Sequence, residues 1–309
     1  MQALKLLHMV PTRIKTISEF HKLRGLPQPE HPLISIIDYG TLGPVEGGMA
    51  SFVFDFYSIA VKRGVGKMRY GQQEYDFDEG VMYFMAPGQV LTVEEDPLYR
   101  GQRSGWIMKL HPDFLWNTPL AAIIKQYEYF DYAVHEALFL SDKEEEILNG
   151  IAHNIRREYQ NNIDKFSQQI IVSQIETLLN YAERFYQRQF ITRKKSSHQL
   201  LEKMEALLDG YFSNKTMAAN GLPTVQYVSE QLHVSKGYLA ALLRSLTGLN
   251  TQQHIHEKLI EKAKEKLSTT DLSVSELAYE LGFEHSQSFS KLFKSKTNLS
   301  PVQFRSNFN

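Results

Sequence analysis

Apolar residues recur along this chain in three successive rhythms. From Leu33 to Leu110 they come in short runs of aromatic and β-branched residues, of which Phe52-Val-Phe-Asp-Phe-Tyr-Ser-Ile-Ala-Val61 is the clearest. Gly64, Gly66, Gly71, Gly80, Pro87 and Gly88 separate that run from its successors, predicting further strands over Lys67–Phe77, Val81–Met85, Val90–Glu94 and Trp106–Leu110. Short strands at this spacing predict a sandwich or a barrel.

From about Pro112 to Gln189 the rhythm turns helical. Ser141-Asp-Lys-Glu144 is a capping box, in which hydroxyl and carboxylate satisfy each other's orphan backbone donors, and Leu148, Ile151 and Ile155 follow on one face. A longer amphipathic helix over about Lys165–Arg188 carries Ile170, Ile171, Ile175, Leu178, Leu179, Ala182 and Phe185, so it either covers the β segment or meets a copy of itself. The polar run TRKKSS, residues 192–197, predicts a linker at about 191–197 between a unit spanning 1–190 and a helical unit spanning 198–309.

The last segment repeats itself. Val225, Val228, Ser229 and Leu232 match Val274, Leu277, Ala278 and Leu281 at an offset of 49 residues. Leu239, Leu242, Leu243, Thr247, Leu249 and Gln253 match Phe289, Leu292, Phe293, Thr297, Leu299 and Gln303 at an offset of 50, so the slip falls in a turn. Each copy meets the needs of a helix-turn-helix, at about 225–247 and 274–297. In the second, Ser273 and Glu276 form a capping box, Ala278 is small where helices cross, and Gly282 ends the first helix. In the first, Ser229 takes the small position, His233 replaces the glycine, and Leu239, Leu242, Leu243 and Leu246 form the inward face. Asn250–Leu267 joins the copies as one helix of about 25 Å, a length suited to holding two helices along one face of B-DNA. Lys258, Lys262 and Lys266 form a stripe on it that either meets phosphate or pairs with Glu257, Glu261 and Glu265.

The run Glu261-Lys-Ala-Lys-Glu-Lys-Leu267, then Val274-Ser-Glu-Leu-Ala-Tyr-Glu-Leu-Gly-Phe283, Ser288-Phe-Ser-Lys-Leu-Phe293 and Leu299-Ser-Pro301, resembles the signature of AraC/XylS-type transcription regulators. The resemblance spans about residues 198–309 and implies an α+β protein: an N-terminal cupin-like β-barrel with a helical extension, and a C-terminal all-α double helix-turn-helix domain. It implies that the second helix of each unit enters the major groove of double-stranded DNA. The first would present Lys236, Gly237, Ala240, Ala241 and Arg244, and the second Ser286, Gln287, Ser288 and Lys291. A cytoplasmic activator that engages RNA polymerase, answers to a small-molecule effector and forms a homodimer is the role this implies.

Charge agrees with that division. From residue 191 onward there are 15 Lys and Arg against 11 Asp and Glu, whereas residues 1–190 hold 19 against 24. Cysteine is absent, which removes disulfides and thiolate chemistry, and no run approaches the ~18–20 apolar residues of a membrane span. The start, Met1–Val10, lacks a signal-peptide pattern, so the chain is expected to remain inside the cell. No histidine falls between residues 32 and 110, so neither a metal site nor a metal-dependent enzyme is expected in the β segment, and no other cofactor or catalytic motif is legible. Tyr57, Tyr83, Met85, Trp106 and Met108 sit on predicted strands, where they either line a ligand pocket or serve as core. The competing function is a small-molecule-binding or enzymatic cupin-like domain fused to a helical adaptor without promoter binding.

Overall fold

The continuous apolar runs of the first segment have their cause in a sheet buried on both faces. The computed structural model describes residues 11–43, 49–64, 68–70, 73–75, 80–94, 103–132, 136–161, 164–192, 194–213 and 221–306. In its first unit, Met1–Gln189, the strands are β1 (Thr12–Ile14), β2 (Ile34–Asp38), β3 (Met49–Phe54), β4 (Tyr57–Arg63), β5 (Met68–Tyr70), β6 (Gln73–Tyr75), β7 (Gly80–Met85), β8 (Val90–Glu94), β9 (Ser104–Leu110) and β10 (Leu138–Leu140). Helix α1 (Ile17–Leu23) follows β1, a single turn α2 (Leu120–Ile123) follows β9, and α3 (Asp142–Gln160) and α4 (Ser167–Thr192) close the unit.

A five-stranded antiparallel sheet, β10-β7-β4-β9-β2, lies beside a three-stranded sheet, β1-β3-β8, and the hairpin β5-β6 stands apart. The described strands thus form separate sheets, a mixed α+β unit in place of the expected closed barrel. The single run Phe52–Val61 is two strands because Asp55 interrupts it: its N–H donates to the Ile14 carbonyl at 3.0 Å and its carboxylate takes Arg13 at 2.9 Å. The run expected over Lys67–Phe77 contains β5 and β6, and the neighbouring carboxylates Asp76, Asp78 and Glu79 lie outside the described residues.

Phe52 and Phe54 of β3 pack between the sheets against Ala60, Val81, Tyr83, Met85 and Ile107, with Ile17 and Phe20 of α1 completing this core. Helices cover the opposite face of the large sheet. There Trp106 Nε1 donates to Asn149 of α3 at 2.8 Å, Tyr159 Oη receives the Ile36 N–H at 3.0 Å, and the Phe84 ring lies 4.3 Å from Tyr129. Tyr129 in turn donates to the Leu179 carbonyl of α4 at 2.9 Å and stacks on Tyr186. The capping box of Ser141 and Glu144 starts α3. Leu178 and Leu179 are fully buried within this unit. Helix α4 therefore spends its apolar face on its own sheet, and Leu178 is not surface through which a second copy could be met; Ile170 alone of its expected stripe is exposed.

The second unit, Phe190–Asn309, consists among the described residues of α5 (Lys194–Ser213), α6 (Val225–Leu232), α7 (Lys236–Thr247), α8 (Thr251–Thr269), α9 (Val274–Glu280), α10 (Ser286–Thr297) and α11 (Pro301–Ser306). The described residues of the expected linker at 191–197 are helical: α4 runs to Thr192 and α5 starts at Lys194, with Phe190 and Ser197 buried. No described helix is long and apolar enough to cross a membrane.

One buried charge stands out between the sheets. Lys109 is 2% exposed, donates to Ser58 Oγ at 3.0 Å, and sits 4.0 Å from the Phe54 ring centroid and 4.5 Å from that of Phe20. Burial pushes its ammonium well below the ordinary 10.5, and the charges of Lys62 and Arg24 push the same way. The unfolded chain then holds the proton more tightly than the native state. The penalty is complete below the lowered native value and fades as pH rises towards 10.5, so stability climbs with pH across that window. Lys109→Met is expected to raise the unfolding midpoint at pH 7 by a few degrees, on the order of 1–3 kcal/mol, and to flatten the rise between neutral and alkaline pH. Thermal unfolding followed by circular dichroism at both pH values checks this; a lower midpoint at pH 7 contradicts it.

Candidate nucleic-acid interface

The repeat is legible atom by atom in the two turns. His233 ends α6 with φ 56°, donating its N–H to Glu230 O at 3.1 Å while Val234 N–H reaches Ser229 O at 3.0 Å. In the second copy Gly282 has φ 81°, its N–H reaches Tyr279 O at 3.0 Å, and Phe283 N–H reaches Ala278 O at 2.9 Å. Each bond lies 49 residues after its counterpart. The histidine has thus taken the left-handed position that glycine fills in the second turn.

Beyond the turns the offset becomes 50. Gly248 and Asn298 end α7 and α10 in left-handed conformation, each donating to the carbonyl four residues back, Arg244 and Lys294, at 2.9 Å. Thr247 and Thr297 return their hydroxyls to Leu243 and Phe293 at 2.8 Å. Asn250 with Gln253, and Ser300 with Gln303, form reciprocal caps. Thr224 and Ser235 cap α6 and α7, and the box of Ser273 and Glu276 starts α9.

Packing explains why the second helix of each pair stands where it does. Val228, Leu239, Leu242 and Leu243 are buried in the first unit, and Leu277, Leu281, Phe289 and Phe293 in the second. Ser229 and Ala278 occupy the helix crossing, and the Ser229 hydroxyl is satisfied by Gln226 O at 2.9 Å. The rings of Phe283, Phe289, Phe293 and Phe304 run in contact through the second core.

That core leaves one stripe of each helix outside. Lys236 and Arg244 of α7 are exposed, and Gly237 and Ala240 are half-buried. Ala241 is 7% exposed and belongs to the core, so it is withdrawn from the expected contact set. On α10, Gln287, Ser288 and Lys291 are exposed and Ser286 is half-buried. Lys294, exposed 50 residues after Arg244, was missed, and the repeat offset is the signal that points to it.

The lysines of α8 resolve in favour of pairing. Lys258 holds Asp209 at 2.7 Å and Glu261 at 2.8 Å, Lys262 holds Glu265 at 2.7 Å, and Lys266 holds Glu280 at 2.5 Å. Its two carboxylate partners push the Lys258 ammonium above its ordinary range. These cations brace helices. His254 and His256 turn to different partners, Thr247 at 2.8 Å and Gln252 at 2.9 Å, and burial lowers both pKa values.

In the first unit the five pocket candidates are all buried, yet they do not converge. Val61 pairs with Trp106, and Ile59 with Met108 and Phe84, which puts Tyr57, Trp106 and Met108 on the helix-covered face. Ala60 pairs with Tyr83 and Ser58 with Met85, which puts those two on the face between the sheets. Tyr57 lies edge-on to Phe130 at 5.1 Å, and Lys62 Nζ sits 4.8 Å from the Tyr83 ring. No group of three or more His, Asp or Glu residues able to hold a metal occurs among the described residues.

Residues 228–307 match a family model described as a helix-turn-helix domain. YfiF of Bacillus subtilis (strain 168), described as an uncharacterized HTH-type transcriptional regulator, is 30% identical over 195 residues, 63% of this chain and 50% of that protein. The HTH-type transcriptional activator RhaS of Escherichia coli (strain SE11) is 25% identical over 162 residues, 50% of this chain and 56% of its own length. The chain therefore spans about half the length of these two relatives. Among solved structures, the C-terminal domain of the two-component response regulator yesN from Fusobacterium nucleatum subsp. nucleatum is 30% identical, covering 34% of this chain and 95% of that one with a TM-score of 0.30. The C-terminal unit is a double helix-turn-helix domain. Through it the chain is similar to HTH-type transcriptional regulators, among them a transcriptional activator.

Reassigning Ala241 to the core has a direct check. Ala241→Gln is expected to lower the unfolding midpoint by several degrees, on the order of 1–3 kcal/mol for overfilling a packed site with a polar group, whereas Ala240→Gln leaves it nearly unchanged. Equal midpoints for the two variants in differential scanning fluorimetry would return Ala241 to the surface.

Proposed function

We propose that this chain binds double-stranded DNA sequence-specifically by placing α7 and α10 in successive major-groove segments, and that it regulates transcription as an activator. One observation carries the reading: two turns with matching hydrogen bonds each project a helix whose outer stripe is polar and cationic while its inner stripe is sealed in core. Arg244, Lys291 and Lys236 are suited to guanine or phosphate, Gln287 to adenine, and Ala240 to a thymine methyl. Gly237, Ser286 and Ser288 allow close backbone approach or single hydrogen bonds, and Lys294 extends the second stripe towards phosphate. With few hydrogen-bonding groups at its centre, α7 reads mainly shape, methyl groups and backbone, while α10 makes more of the polar base contacts.

The name of the E. coli relative, a transcriptional activator, supports the sign of regulation. Contact with RNA polymerase and homodimerisation belong to this proposal. So does a cupin-like first unit that answers to a small-molecule effector; the two packed sheets support it.

In vitro selection from a random duplex library, followed by mobility shifts at two salt concentrations, tests the reading. A single enriched motif is expected, bound less tightly as salt rises because phosphate contacts release counterions. Gln287→Ala should relax preference at one adenine by about 1–3 kcal/mol, and Lys294→Ala should weaken all sequences alike. Failure to enrich any motif would overturn the proposal.

A further inference from the structure

Two glycines touch where no side chain could stand. A Cβ on Gly282, in the turn of the second helix-turn-helix unit, would meet the Gly221 backbone carbon at 2.8 Å, its Cα at 3.0 Å and its oxygen at 3.1 Å. Gly221 also has a left-handed φ, +72°, and lies three residues before Thr224, the cap that starts the first unit. Its carbonyl accepts the Tyr211 hydroxyl of α5 at 3.0 Å, and the Tyr211 ring lies edge-on to Tyr227 of α6 at 5.2 Å. The chain entering the first unit thus rests, backbone on backbone, on the turn of the second.

We propose that the Gly221–Gly282 contact is a positioning contact that fixes the two recognition helices relative to each other and so sets the spacing of the two DNA segments they read. The inference rests on the DNA-binding reading above. The units are also joined by α8, which passes into α9 through the non-helical residues 270–273. The polar ties from α8 to the second unit, Lys266 to Glu280, Glu257 to Lys296 and the Leu267 carbonyl to Arg305, run through long side chains that can follow a rotation. A second attachment, closed by two glycines and held by Tyr211, removes that freedom.

Two alanine substitutions separate the contact from backbone strain. Gly282→Ala and Gly248→Ala both place a side chain at a left-handed φ, +81° and +78°, but only the first meets neighbouring backbone, because nothing lies within 4 Å of Gly248. The chain has no cysteine, so Lys236→Cys with Lys291→Cys allows two nitroxide labels to be placed on α7 and α10 of the full-length protein. Pulsed electron resonance should give one narrow distance in the parent and with Gly248→Ala, and a broadened or displaced one with Gly282→Ala. Without labels, duplexes selected by the wild-type protein should be bound about tenfold or more better than the same duplexes with two base pairs inserted between the contacted segments. Gly282→Ala should cut that ratio to about threefold, and Gly248→Ala should keep it.

Unchanged distance and unchanged spacing ratio in a folded Gly282→Ala protein would overturn the proposal. If that variant does not fold, Tyr211→Phe decides: it removes the hydroxyl from the Gly221 carbonyl and should broaden the same distance, and a parental distribution there overturns the proposal. Should selection enrich no DNA, the DNA-binding reading falls, while the label distances still report whether the contact couples the two helices.

Discussion

A left-handed residue at the end of the first helix of each pair is the constraint on which the C-terminal architecture depends. Turning from one helix into another within three residues in the first unit and five in the second demands a backbone that most side chains resist. Gly282 meets the demand without a Cβ, and His233 meets it with one, held by the same two hydrogen bonds. Once the turn is set, the helices cross closely, which is why Ser229 and Ala278 must be small and why the leucines of one unit and the phenylalanines of the other are sealed inside. The outward stripes of α7 and α10 are what remains after those demands are met. Their chemistry is free to vary because the turn, the crossing and the core do not use them.

The first unit obeys a different constraint. A five-stranded sheet covered on both faces needs apolar residues at consecutive positions, so β4 and β7 read as nearly continuous hydrophobic runs. Helices take one face and a second sheet takes the other, where Lys109 is retained among aromatic rings. Polar groups gathered between the sheets pair with one another, Lys109 with Ser58 and His21 with Ser35.

Local signals were legible in the sequence and non-local ones were not. The capping boxes at Ser141 and Ser273, the repeat and its one-residue slip could all be read because each involves residues a few positions apart or copied at a fixed offset. Thr16 and Glu19 formed a capping box that went unread before the short helix α1. β1 and β10, at three residues each, are too short to show alternation. Sheet closure and pairing register depend on distant partners, so the spacing left sandwich and barrel both open where the described strands form separate sheets, and the five residues read as pocket or core lie on two faces. Ala241 was misplaced because adjacent helical positions differ by about 100°, and an alanine beside another alanine carries no polarity to tell groove from core. The run TRKKSS looked like a linker from its polarity, yet lysine is a good helix former and the described residues there are helical.

The central claim is that two helix-turn-helix units, joined by α8, form one body that grips one face of a duplex. Hydroxyl-radical footprinting of the full-length protein on its selected DNA tests it most directly. Two protected segments, displaced by about one helical turn, roughly 10–10.5 base pairs, and lying on the same face are predicted. A single protected segment, or two on opposite faces, would contradict it.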